Sequence, residues 1–218
     1  MSTVETHEAH PREKYADTTV PVTPEIRRRW SPRAFDDRVV SDDDLRVLLE
    51  AARWAPSSYN EQPWRFIVAR RENEEQFEQL LGCLTPKNQE WARKAPILLL
   101  TVASRVFHRN GKPNRHAFHD VGLAMGNLLN QASAMGIYVH QMAGIDPDRA
   151  RDRYRVPEEF DVVAGVAVGY LGDPEELDDS SRRESETRER SRRGLEELVF
   201  QETWGRPAAD IVAATVTS

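Results

Sequence analysis

Apolar positions along the chain recur with two periods, and the changes between them mark out its elements. Residues 1–22 follow neither period; they are polar and broken by proline, which predicts a flexible N-terminal leader. Thr23 followed by Pro24 reads as a helix start, with a short helix running through Ile26 to about Arg29. Ser41 ahead of Asp42, Asp43 and Asp44 places a cap and three carboxylates at the positive end of a second helix. Its apolar residues are Leu45, Val47, Leu48, Leu49, Ala52 and Trp54, and Pro56 stops it. Residues 64–70 alternate and are rich in β-formers, predicting a strand; residues 73–84 read as an amphipathic helix, and 97–103 as a second strand. The strongest helical pattern covers 117–136, where Phe118, Val121, Met125, Leu128, Ala132 and Met135 fall three and four apart. Strands at 137–142 and 162–171 flank a short helix at 147–154. Residues 175–193 are strongly charged and read as a solvated arm. Leu195, Leu198, Val199, Phe200 and Trp204 then need a surface to cover them, and 211–216 has the character of an edge strand. The order mixes helices and strands without a βαβ repeat, an α+β pattern in a single domain spanning 23–218.

Composition narrows the classes. The chain has 218 residues, with 30 Lys and Arg against 36 Asp and Glu, a net charge of −6. A chain this long buries roughly 70% of its unfolded surface and can build its own core. The acidic balance argues against wrapping nucleic acid by charge. Cys83 is the only cysteine, which removes internal disulfides, four-cysteine zinc sites and paired-thiol redox motifs, and fits a cytoplasmic protein. The longest apolar run, 96–103, is far short of the ~20 residues that span a bilayer, and the N-terminus lacks the pattern of an export signal.

Phosphate-loop, dinucleotide, zinc-protease and nucleophile-elbow motifs are missing. His116, His119 and Asp120 share a helical turn, but a metal would need further ligands from elsewhere, and surface or capping roles fit them better. Cys83 sits among Leu80, Leu81 and Leu84 and reads as a buried thiol. Two clusters carry more chemistry. In Arg28-Arg29-Trp30-Ser31-Pro32-Arg33, guanidiniums and a hydroxyl gather where a helix ends, a combination that suits a phosphate as well as it suits a solvated basic turn. In Pro56-Ser57-Ser58-Tyr59-Asn60-Glu61-Gln62-Pro63-Trp64, small polar groups sit on a loop pinned by two prolines, able either to cap a turn or to address a planar polar ligand.

Together these segments resemble the nitroreductase-like family of FMN enzymes, through Arg29-x-Ser31-x-Arg33-x-Phe35 and Pro56-Ser57-Ser58-x-Asn60-x-Gln62-Pro63-Trp64-x-Phe66. The likeness continues through Ala95-Pro96, Asp120-Val121-Gly122, Asn127-Leu128, Ala143-Gly144, Gly169-Tyr170-Leu171-Gly172 and 190–197, and covers 24 to about 200. It implies a central, mostly antiparallel sheet flanked by helices, with the C-terminal arm exchanged in a homodimer. It also implies FMN at the dimer interface, NADH or NADPH as donor, and ping-pong hydride transfer to an electron-poor small molecule such as a nitroaromatic or quinone. Carried over by motif, Arg29, Trp30, Ser31, Arg33, Arg190 and Arg192 approach the phosphate and ribityl chain. Pro56, Ser57, Ser58 and Asn60 reach the cofactor from the other subunit, and Asn88, Ala143 and Gly144 lie at the ring. Trp91 stands where many members have a lysine, leaving Arg33, then Arg93, to compensate a reduced ring. No catalytic side chain is implied, because the flavin carries the chemistry. The near alternatives are dehydrogenating, dehalogenating or flavin-cleaving members of the same fold. A different class, a nucleic-acid or protein-binding module using the arginines of 182–193, is weakened by the interleaved Glu184, Glu186 and Glu189.

Overall fold

The computed structural model describes residues 14–212. Four strands, β1 (Trp64–Arg70), β2 (Ile97–Ser104), β3 (Tyr138–Met142) and β4 (Phe160–Gly169), form one sheet in the order β1-β2-β4-β3. Every neighbouring pair is antiparallel. β2 is buried along its whole length, which is why its sequence is an apolar run rather than an alternation. The accompanying helices are α1 (Pro24–Arg28), α2 (Asp42–Arg53), α3 (Glu74–Leu81), α4 (Pro86–Ala92), α5 (Ala117–Ala134), α6 (Pro147–Tyr154), α7 (Ser180–Thr187) and α8 (Ala209–Val212).

The sheet separates two cores. Ile97, Leu99, Val166 and Val168 pack with α2 and α5 through Leu48, Ala52, Val121, Met125 and Leu128. Leu98, Leu100, Val102 and Ala167 pack on the opposite face with α3, α4 and α6 through Phe77, Leu80, Trp91 and Ala150. Asn127 Nδ2 donates to the Ala51 carbonyl at 3.2 Å and ties α5 to α2. The expected caps at Ser41 and Asn73 form, accepting from the N–H of Asp44 and Gln76 at 3.0 and 3.2 Å. Thr23 makes no side-chain cap, so α1 starts on Pro24 alone. Gly136, at φ 67°, makes the left-handed turn that ends α5 and feeds β3.

Four stretches differ from the sequence expectation. The helix expected over 73–84 ends at Leu81, and the chain turns at Gly82 into α4, whose Thr85-Pro86 start repeats the pattern of Thr23-Pro24. The stretch 175–193 is not simply a solvated arm: it contains α7, whose Glu186 is buried against the turn after α1. Residues 209–212 are helical where an edge strand was expected from 211; 213–218 lie outside the described residues. From Lys14 onward the leader is tied down, the Ala16 N–H donating to Arg27 O at 2.8 Å, while 1–13 lie outside the described residues. Among the described residues, no helix is long and apolar enough to cross a membrane. Beyond α7 the backbone bonds among the described residues are local, such as Val199 N–H to Leu195 O (2.8 Å) and Ala208 N–H to Val199 O (3.0 Å). Trp204 lies tilted against Phe200 with centroids 5.1 Å apart, yet is 92% exposed.

Candidate functional site

The chain leaves α1 at Arg29 and is fixed there by Trp30, which is buried and packs edge-on to Tyr138 of β3 at 6.1 Å. This places Arg29 and Ser31 on a cavity of about 590 Å³, whose other walls include Lys14, Ser185, Arg188, Arg190 and Arg192. Arg29 Nη1 donates to Ser31 Oγ at 3.3 Å, and Arg190 Nη1 donates to the carbonyls of Arg27 and Lys14 at 2.7 and 2.9 Å. Glu189 also lines the cavity, but neither it nor any other carboxylate among the described residues pairs with Arg29, Arg190 or Arg192. Burial, followed by the charge of Arg192, presses Arg29 below the ordinary arginine value; burial, then Arg29 and Arg192, does the same to Arg190. Guanidiniums held together against their own repulsion gain from a dianion with several acceptor oxygens, so these residues fit the phosphate of FMN. Arg33 does not line the cavity. Its Nη1 donates to Ser185 Oγ at 3.2 Å, and its backbone N–H donates to the Glu186 carboxylate at 3.0 Å.

A second group forms at the other end of β3. Asn88, on α4, donates from Nδ2 to the carbonyl of Gly144 at 2.9 Å, where the Thr85 N–H also donates at 3.0 Å. A Cβ on Gly144 would lie 2.5 Å from Asn88 Nδ2 and 2.8 Å from Thr85 Oγ1, so only glycine allows this approach. Asn88 Oδ1 accepts from Trp91 Nε1 at 3.3 Å, which fixes the amide orientation and leaves one Nδ2 hydrogen unspent. Trp91 is buried, stacked on Phe35 at 6.3 Å and against His140 at 4.6 Å. His140 Nδ1–H donates to the Pro32 carbonyl at 2.8 Å. Burial lowers its pKa to about 4 despite that bond, so the ring is neutral at pH 7. Of the two cations named for charge compensation, Arg33 is near enough to act on His140, whereas Arg93 is exposed and donates to Gln89 O at 3.2 Å. The sequence motifs gave no sign of His140. Its place on β3 facing Trp91 appears only in the fold.

The serine loop is anchored from α5. Ser58 N–H donates to Asp120 Oδ2 at 3.0 Å, and Ser57 Oγ accepts from Gln62 N–H at 3.0 Å. Asp120 is buried, with His119 Nδ1 3.3 Å from its other oxygen, so rather than a surface or capping residue it is the anchor of the loop. Tyr59, Asn60 and Gln62 all have left-handed backbones, at φ 55°, 55° and 51°. Non-glycine residues there cost about 1 kcal/mol each, and strain of this kind gathers at ligand-binding loops. Tyr59 is exposed, edge-on to Phe107 at 5.8 Å, with the Arg109 guanidinium over its ring at 4.1 Å.

One chain does not bring these halves together. The loop enters β1 at Trp64, opposite Ala103, whereas Trp30 packs on Tyr138, opposite Gly169. Three strand spacings across and about seven residues along place them at diagonal corners of the sheet, roughly 27 Å apart. No hydrogen bond, ion pair or ring contact joins Pro56, Ser57, Ser58 or Asn60 to the cation cavity among the described residues. The cations of 182–193 are divided as well. Arg182 pairs with Glu90 at 2.6 Å and Arg183 donates to Leu177 O, so they do not form a continuous phosphate track with Arg190 and Arg192.

The nitroreductase family model matches residues 26–170. Among curated proteins, an NADH dehydrogenase of Thermus thermophilus is 29% identical over 191 residues, covering 71% of this chain and 90% of that protein. The major NAD(P)H-flavin oxidoreductase of Aliivibrio fischeri is 26% identical over 192 residues, covering 70% and 88%. Among solved structures, one described as an oxidoreductase containing FMN is 33% identical with a TM-score of 0.80, covering 91% of this chain and all of that one. A Desulfovibrio desulfuricans nitroreductase in complex with FMN is 27% identical with a TM-score of 0.64, covering 84% and 99%.

Proposed function

The chain belongs to the nitroreductase family, and from that premise we propose that it is an FMN-dependent NAD(P)H oxidoreductase acting as a homodimer, with an electron-poor small molecule as acceptor. The observation that carries this reading is the cation cavity: Arg29, Arg190 and Arg192 are held close together, and no carboxylate among the described residues pairs with them. Asn88 and Gly144 meet one strand length away, about 14 Å along β3, which suits a ligand with a charged tail and a polar-edged ring.

When bound, FMN would supply reversible two-electron chemistry between NADH or NADPH as donor and a nitroaromatic or quinone as acceptor. The chain's own part is to bind and orient. Arg29, Arg190 and Arg192 hold the phosphate, with Ser31 as a neutral partner. The unspent Asn88 hydrogen and the Gly144 N–H are donors for the ring. Trp91 and His140 keep that end rigid and uncharged, and Arg33, whose charge acts on His140, is assigned to offset charge on a reduced ring. Pro56, Ser57, Ser58 and Asn60, displayed at the far corner, serve the site of the second subunit, and the arm beyond α7 supplies apolar residues for the same contact. Protons come from solvent, so no side chain is assigned as acid or base.

The purified protein should be yellow and sediment as a dimer. Anaerobic mixing with NADH or NADPH should bleach the flavin, and added acceptor should restore its colour, with parallel double-reciprocal plots across donor concentrations. A colourless protein that takes up no FMN refutes the reading. Bleaching without reoxidation by any nitroaromatic or quinone refutes the assigned acceptor class.

A further inference from the structure

We infer that Lys14, which precedes the family-matched residues 26–170, is a further ligand for the cofactor phosphate, and that residues 14–16 strap one wall of the cation cavity. The inference rests on reading that cavity as the FMN phosphate site.

The strap is stitched at three points. Ala16 N–H donates to Arg27 O at 2.8 Å, Lys14 Nζ donates to Ser185 O at 2.9 Å, and Arg190 Nη1 donates to Lys14 O at 2.9 Å. Because the same Arg190 nitrogen also reaches Arg27 O, one guanidinium binds the strap to the end of α1. Lys14 is thereby part of the cavity wall beside Arg29 and Ser31, its ammonium 4.6 Å from the centre of the Trp30 ring. An ammonium has three hydrogens and Ser185 takes one, which leaves two for a ligand.

The electrostatics point the same way. Burial lowers the Lys14 pKa most; Glu186 raises it, and Arg190, Arg188 and Arg33 lower it further. Glu186 forms no ion pair with Lys14, its oxygens accepting instead from the N–H groups of Arg33 and Ala34. A lysine fixed among cations gains most from a phosphomonoester dianion. FMN carries that group at this site, while NADPH carries one that NADH lacks, and the test separates the two.

The full chain, stripped of flavin, is titrated with FMN and with riboflavin by fluorescence quenching, for the parent, K14M and K14R. Loss of one charge-assisted bond predicts FMN binding about tenfold weaker in K14M. Riboflavin, without phosphate, should bind K14M and the parent alike, and K14R should restore FMN affinity. Equal melting of the flavin-free parent and K14M would show that folding is intact; a K14M that melts lower and weakens both flavins alike overturns the inference in favour of a structural role. Unchanged FMN binding overturns it too. So does a change confined to NADPH against NADH, which would assign Lys14 to the donor. A parent that binds no FMN fails the cofactor reading before any variant is compared.

Discussion

Removing the Glu186 side chain tests whether α7 holds the turn that carries Arg33. The carboxylate is 4% exposed and accepts from the N–H groups of Arg33 at 3.0 Å and Ala34 at 3.4 Å. In E186A both lose their acceptor inside the protein, at about 1–3 kcal/mol for each unsatisfied donor, the longer bond at the low end. About 2–4 kcal/mol in a domain of this size corresponds to a melting temperature roughly 5–12 °C lower. E186Q keeps only one of the two acceptors, because Oε1 and Oε2 take the Arg33 and Ala34 N–H groups separately and an amide has a single oxygen. Burial raises the Glu186 carboxyl above its ordinary value of 4.5, outweighing the two N–H donors and the charges of Arg33 and Lys14. The folded protein therefore binds this proton more tightly than the unfolded chain does. That contribution to stability is fully present below about pH 4.5 and is lost as pH rises through the raised value. E186Q lacks the loss, so its deficit against the parent should shrink as pH rises through that window, and at pH 7 it should melt between the parent and E186A. Calorimetry of flavin-free protein between pH 4 and 8 provides the measurement. An E186A variant that melts with the parent, or an E186Q that falls as far as E186A, refutes the reasoning.

His140 should titrate by NMR with a midpoint near 4, and since the unfolded ring takes its proton near 6.5, its contribution to stability is full above that value and falls as pH drops toward 4. H140F should remove that acid-side loss; a midpoint near 6.5 in the folded protein would contradict the burial. G144A forces a methyl to within 2.5 Å of Asn88 Nδ2, so FMN titration should show weaker binding and melting a loss of about 1–3 kcal/mol; no change in either would mean the contact yields freely. D120A removes the acceptor of Ser58 N–H, and hydrogen exchange at that amide should rise about tenfold or more, a result that unchanged protection would reject.

Much of the fold was legible because local chemistry and packing agree. Ser41 caps α2 as its sequence suggests, 64–70 is β1 to the residue, and 147–154 matches α6. The misses are places where a tertiary contact overrides local character. The stretch 175–193, with seven acidic and six basic residues, looks solvated, but Glu186 is drawn inside by two backbone donors 152 and 153 residues away. Asp120 reads as a surface or capping residue beside His119 until the loop at Ser58 comes to it across 62 residues and it is found buried. Lys14 carries no motif at all. Asn88 and Gly144 were named from separate motifs, and only the fold brings them to 2.9 Å, with Trp91 bonded to the same amide.

The spacing of the two principal motifs also has a physical meaning that sequence proximity conceals. Between Arg33 and Pro56 the chain builds α2, whose 12 residues cover about 18 Å, nearly the length of the sheet. That helix lifts the chain from the Tyr138 end, where Trp30 is packed, to the Trp64 end, where the strained serine loop turns into β1. Motifs about two dozen residues apart are therefore separated by the intervening helix, and shortening α2 would unseat Leu45, Leu48 and Ala52 from the core before it brought them together. A site that uses both must draw them from two chains. In the proposed dimer, the exposed loop at one corner and the cations at the other, which no carboxylate among the described residues pairs, would be halves of two equivalent sites related by its symmetry.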